Sequence, residues 1–238
     1  MKHKIILNRL RNLFLLLLFF TPWFTANVLA WNEGGEEQDL SLKSIANLSN
    51  GIKAYEVCSA CHMPEGWGTP DGTYPQISGQ HQNVLIKQLT DIRQLNRDNP
   101  SMYPFALPEE MGGAQAVADV TAYIATLPML HENGLGSGND LILGKQLYDK
   151  NCTQCHGNNG QGDNVKFYPR IHGQHYKYLL RQFKWMQLGK RRNANPDMLK
   201  QIKSFSQRDA RAVLDYVSRL RPPQERSVHK TWRNSDFD

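Results

Sequence analysis

A five-residue pattern, Cys-x-x-Cys-His, occurs twice in this chain, at matching places in two halves that repeat one another. Cys58-Ser59-Ala60-Cys61-His62 returns as Cys152-Thr153-Gln154-Cys155-His156 at an offset of 94 residues. Pro75-Gln76-Ile77-Ser78-Gly79-Gln80-His81 returns at the same offset as Pro169-Arg170-Ile171-His172-Gly173-Gln174-His175. Asn99-Pro100-Ser101-Met102 matches Asn195-Pro196-Asp197-Met198 at an offset of 96, which places a two-residue insertion in an intervening loop. Gly51, Tyr55 and Tyr123 correspond to Gly144, Tyr148 and Tyr216. A repeat in one order along 238 residues implies two domains of common ancestry, each of ordinary size.

The apolar spacing within each copy is helical. Residues 40–57 and 140–151 lead into the cysteine motifs. Residues 82–95 and 175–189 carry apolar side chains on one face, and 114–127 and 207–220 are closing helices, the second with Ser206 as N-cap. Glu65 to Gly72 is glycine- and proline-rich and reads as loop. Asn133-Gly134-Leu135-Gly136-Ser137-Gly138 has linker composition. The expected division is 31–134 for the first domain, 135–139 for the linker, 140–222 for the second domain and 223–238 for a C-terminal tail.

All four cysteines lie in the two motifs. On a helical turn this spacing presents Cys58 and Cys61, and again Cys152 and Cys155, for thioether bonds to the vinyl groups of a haem, while His62 and His156 project an imidazole at the iron. The chain is therefore expected to carry two covalently bound haem c groups. A single four-cysteine zinc site would need pairs that here belong to separate repeats, each followed by His. A thioredoxin-type redox pair would need a βαβ setting that the sequence lacks.

The opposite face of each iron needs a ligand or an open position. The repeat nominates Met102 and Met198, the two methionines in the Asn-Pro-x-Met setting. A thioether is a soft ligand that favours reduced iron and suits electron transfer. Met111 and Met186 are their local rivals. Met63 is too close to His62 to reach the other face, and Met129 lies past the last helix of its domain and is assigned to packing.

Each half resembles a class I cytochrome c, and the tandem resembles the dihaem cytochrome c-4 type, from about Gly51 to Leu220. The resemblance implies an all-α fold of two small helical domains. It also implies that Pro75 and Pro169 offer their carbonyls to the Nδ1–H of His62 and His156, fixing tautomer and ring orientation. Gly51 with Tyr55, and Gly144 with Tyr148, take the place of the first-helix face that crosses the last helix, against Tyr123 and Tyr216. Two departures predict unequal haems: Met63-Pro64 follows the first motif where Gly157 follows the second, and Tyr103-Pro104-Phe105 follows Met102 where Leu199-Lys200 follows Met198.

The N-terminus has Lys2, Lys4, Arg9 and Arg11 ahead of an apolar run from Leu13 to Phe20, and Val28-Leu29-Ala30 before Trp31. It reads as a signal peptide over residues 1–30, or otherwise as an uncleaved anchor, and makes the periplasm the expected compartment. Without it the formal charge falls from +6 to +2. Residues 31–139 then hold 5 Lys and Arg against 13 Asp and Glu, a balance of −8, and residues 140–238 hold 19 against 9, or +10. Opposite domain charges orient a molecule toward charged redox partners. The basic half lacks a nucleic-acid recognition motif. The 40% hydrophobic and 21% charged composition excludes a disordered chain and a multi-span membrane protein.

The expected function is electron transfer from a dehydrogenase or quinol-oxidising complex to a terminal oxidase or reductase, without catalysis. A haem enzyme subunit of thiosulfate-oxidising or peroxidase type, and a sensor of small gaseous ligands, are the rivals; each needs an open or displaceable sixth position. His81 and His175 are placed near the haem carboxylates or at the surface, and His131, His172 and His229 in solvent. The tail packs on a domain or docks a partner.

Overall fold

The computed structural model describes residues 35–237; the leader assigned to residues 1–30 lies outside them. Where one helix was expected over 40–57 there are two, α1 (Gly35–Lys43) and α2 (Leu48–His62). Asn47 makes the break. Its side chain accepts from Asn50 N at 3.1 Å, and its own N–H donates to Asp119 Oδ1 at 2.8 Å, so the chain restarts as a capped helix tied to the end of the domain. Helix α1 is held to the rest of the domain by an ion pair between Glu37 and Arg93.

The first half continues with α3 (Gln82–Arg93), the short turns α4 (Tyr103–Ala106) and α5 (Pro108–Met111), and α6 (Ala114–Thr126). The second half repeats this as α7 (Leu141–Asn151), α8 (Thr153–His156), α9 (Tyr176–Gln187), α10 (Pro196–Ile202) and α11 (Gln207–Ser218). Ser206 forms a full capping box with Asp209 at the start of α11, and Asn195 caps α10 with Pro196 in its first turn. Helix α2 runs unbroken through its cysteine motif, whereas α7 stops at Asn151 and the second motif forms the separate turn α8.

In each half the first and last helices cross at a glycine. A Cβ on Gly51 would lie 2.3 Å from Asp119 O, and one on Gly144 would lie 2.2 Å from Ala212 O. This contact brings Tyr55 against Tyr123 (ring centroids 5.4 Å) and Tyr148 against Tyr216 (5.6 Å). Two separate hydrophobic cores form around the crossings, one built on Tyr55, Leu85, Ile86, Val117, Val120 and Ile124, the other on Tyr148, Leu179, Phe183, Val213 and Val217.

The halves face each other about a local two-fold axis, visible in paired hydrogen bonds. Gln76 N donates to Gln174 Oε1 (3.0 Å) and Gln174 Nε2 donates to Gln76 O (2.8 Å). The repeat-related pair does the same: Arg170 N donates to Gln80 Oε1 (2.8 Å) and Gln80 Nε2 to Arg170 O (2.9 Å). Each glutamine satisfies both backbone groups of a residue in the other half, so buried polar groups find partners only when the halves are docked in this register.

The segment of linker composition is anchored to the second half. Asn133 Nδ2 donates to Gln174 O (2.9 Å) and Ser218 O (2.8 Å), and Gly138 N to Asp215 Oδ2 (2.6 Å). Gly134 N donates to His175 Nδ1 (3.0 Å), so the ring proton sits on Nε2, which donates to Trp67 O (2.7 Å) in the first half. His175 is thus a fully buried interdomain strut. His172 is also buried, not in solvent as expected; its Nδ1 lies 2.8 Å from Asn159 O, and burial holds its pKa down at about 4.

The tail returns to the first half. Strand β1 (Met129–Leu130) pairs in parallel with β2 (Ser227–Val228), and the chain then passes Trp67 and the α2–α6 crossing, with Trp232 against Trp67 and Phe237 against Tyr55. No helix among the described residues is long and apolar enough to cross a membrane.

Candidate haem-binding sites

Helix α2 delivers Cys58, Cys61 and His62 on its last turn. His62 is buried, with Nδ1 2.9 Å from Pro75 O. A carbonyl only accepts, so Nδ1 carries the hydrogen and Nε2 is left with its lone pair available to a metal. In the second half α8 delivers Cys155 and His156, with Cys152 just before it, and His156 Nδ1 lies 3.1 Å from Pro169 O. Burial lowers the pKa of both histidines, against a smaller upward pull from the proline carbonyls, so both rings are neutral as ligation requires. Neither cysteine pair forms a disulfide. Burial pushes the Cys58 and Cys152 thiols up to about 12, the opposite of the depressed pKa of a reactive redox dithiol.

A cavity of about 640 Å³ opens beside the second motif. Cys152, Cys155, His156 and Pro169 form part of its wall, with Met198, Met186, Leu179, Phe183 and Val213 among the other lining residues. It continues to the interface between the halves, where Pro75, Ile77, Val84 and Leu85 of the first half line it. In that half Met102 and Cys58 pack against the same core cluster, while Met111 is fully inside it. The apolar walls and the size suit a large flat prosthetic group.

Where the cavity meets the interface, charge accumulates. Arg97 is buried and donates to Gln88 Oε1 (2.7 Å) and Tyr178 OH (2.9 Å); its repeat partner Arg191 donates to Gln182 Oε1 (3.1 Å). Burial and the neighbouring Arg97 lower the Arg191 pKa to about 10. Asp91, fully buried, accepts from Lys87 (2.9 Å) and Asn193 (2.7 Å) through Oδ2. The Arg97 and Arg191 guanidiniums, held away from solvent, are donors suited to anionic groups, and haem carboxylates have that chemistry. Arg97 with Arg191 and Gln88 with Gln182 recur at the 94-residue offset, as do Tyr74 and Tyr168, which stand just before each proline. The repeat contained these residues as a signal, but they sit in no motif known by its chemistry.

The family model for cytochrome c matches the chain twice, over residues 48–128 and 141–221. The cytochrome c4 of Azotobacter vinelandii is 30% identical over 178 residues, covering 69% of this chain and 84% of the relative. The thiosulfate dehydrogenase electron acceptor of Stutzerimonas stutzeri is 27% identical, covering 83% and 94%. Reduced cytochrome c4 from Pseudomonas stutzeri superposes with a TM-score of 0.63 over 74% of this chain and all of that one, at 24% identity. With two helical domains, each ending a helix in a Cys-x-x-Cys-His turn braced by a proline carbonyl, the chain belongs to the cytochrome c family. It is a dihaem cytochrome of the cytochrome c4 type, an electron-transfer protein with two covalently bound haem c groups.

Proposed function

We propose that Cys58 and Cys61 bind one haem and Cys152 and Cys155 the other, that His62 with Met102 and His156 with Met198 are the axial ligands, and that Pro75 and Pro169 orient the two histidines. The domain bodies are 31–134 and 140–222, joined by 135–139. The chain is exported after removal of residues 1–30 and relays electrons in the periplasm from a dehydrogenase or quinol-oxidising complex to a terminal oxidase or reductase, without substrate chemistry of its own. Each haem supplies one-electron iron chemistry; the residues around it set its potential and keep it dry. The observation that carries this reading is the pair of like sites set against one buried, symmetric interface, which favours passage between sites over independent catalysis at each. Likeness to a thiosulfate dehydrogenase electron acceptor favours a sulfur-oxidising dehydrogenase as donor.

Potentiometric titration tests the relay. The second motif is followed by Gly157 and the first by Met63, so two resolved one-electron steps are expected; a single two-electron step would contradict inequivalent sites. Arg97 and Arg191 favour the reduced iron because it carries one positive charge fewer. The double variant Arg97→Gln/Arg191→Gln is expected to lower both potentials by on the order of 60 mV, the equivalent of a tenfold change for one electron. A shift at neither haem would remove these arginines from the sites.

A further inference from the structure

Met63, the residue after His62, has φ 68° and ψ 156°, a conformation open in practice only to glycine. Its counterpart Gly157 adopts φ 74° and ψ 171° without strain. The first half therefore bends its backbone beside the proposed iron ligand with the wrong residue type, and the second half does not. Tyr55 OH donates to Met63 O at 2.8 Å, but Tyr148 OH donates equally to Gly157 O at 2.6 Å, so that bond does not compensate for the difference.

What the first half has in addition is the tail. Asn234 is buried and its Nδ2 donates to Pro64 O (2.6 Å) and to Tyr123 OH (2.9 Å). Tyr123 OH in turn donates to Asp236 Oδ2 (2.8 Å). Phe237 stands edge-on to Tyr55 at 5.6 Å, and Trp232 packs on Trp67 at 6.0 Å. All these tail residues lie beyond residue 221, where the second match to the cytochrome c model ends.

We propose that residues 232–237 form a clamp, supplied by the second half of the chain, that holds the strained Met63-Pro64 turn of the first and so positions His62. The clamp rests on the geometry above; its effect on the iron rests also on the reading of His62 as a ligand. Asn234 closes the turn from outside, while Phe237 fixes the Tyr55 ring whose hydroxyl holds it from inside. The second site needs no clamp because glycine fills the equivalent position.

The test uses the full-length protein with both haems, comparing the parent, Asn234→Ala/Phe237→Ala, and the same pair combined with Met63→Gly. Hydrogen exchange is read on peptides spanning 58–68 and 152–162, and both redox steps are titrated. Loosening the clamp is expected to speed exchange in 58–68 by about tenfold, a factor equal to about 1.4 kcal/mol. Exchange in 152–162 is expected to stay unchanged, one of the two potentials to fall, and Met63→Gly to restore both readouts. Asn234→Ala alone gives the same pattern at smaller size. Equal loosening of both segments, unchanged exchange in 58–68, or failure of glycine to rescue overturns the clamp. A loosened and rescued turn with both potentials unmoved overturns the positioning of an iron ligand, and a spectrum without two c-type haems fails the underlying haem reading before exchange is measured.

Discussion

Met198→Ala is expected to lower the potential of one haem by on the order of 100 mV or more and to leave the other unchanged. As the proposed ligand, the thioether would stabilise reduced iron, and its removal would leave the position to water, a hard ligand that stabilises the oxidised state. Met198 lies on α10, held by the Asn195 cap, in the wall of the cavity that also contains His156. Met186 lines the same cavity and is the internal control: Met186→Leu should leave both potentials within a few millivolts, on the order of measurement error. A large fall in the Met186 variant with none in the Met198 variant would exchange their roles. In the first half the same logic sets Met102, half-buried, against Met111, which is inside the core.

Gly144→Ala is expected to destabilise the second domain by about 3 kcal/mol, the upper end of ordinary overpacking costs. The obstacle is a backbone carbonyl. A Cβ 2.2 Å from Ala212 O, with Tyr216 Cβ at 2.9 Å, forces α7 and α11 apart, and no side-chain rotation relieves that contact. The Tyr148–Tyr216 contact opens with it, and Tyr148 OH holds the carbonyl of Gly157, next to His156. Loss of stability should therefore appear together with a weakened histidine–iron bond on urea titration followed in the visible spectrum. Gly51→Ala should behave alike in the first domain. A variant with parental unfolding midpoint and spectrum would show that the helices have room to separate.

Much of the helical frame was legible because it follows from local pattern: α3, α6, α9 and α11 begin and end within about two residues of the expected bounds. The break at Asn47 was not, because it depends on Asp119, 72 residues away. Burial of the histidines was the larger loss. His172 carries nothing in its neighbours to mark it as buried, and the partner of His175 across the interface is the carbonyl of Trp67, 108 residues earlier. The cationic cluster could have been found, since Arg97 and Arg191 stand 94 residues apart like the cysteines, but an arginine has many roles and a Cys-x-x-Cys-His pattern very few. The return of the tail to the first domain has no local signal beyond the aromatic residues Trp232 and Phe237.

The electron-transfer reading stands on the proposed His/Met ligation of both haems, with no position open to substrate. The most direct measurement is the near-infrared magnetic circular dichroism and electron paramagnetic resonance of the ferric protein, before and after peroxide, with carbon monoxide added to the reduced form. Two low-spin His/Met haems per chain, unaltered by either reagent, is the predicted result. A high-spin haem at rest, or a haem that binds carbon monoxide without prior unfolding, would contradict it.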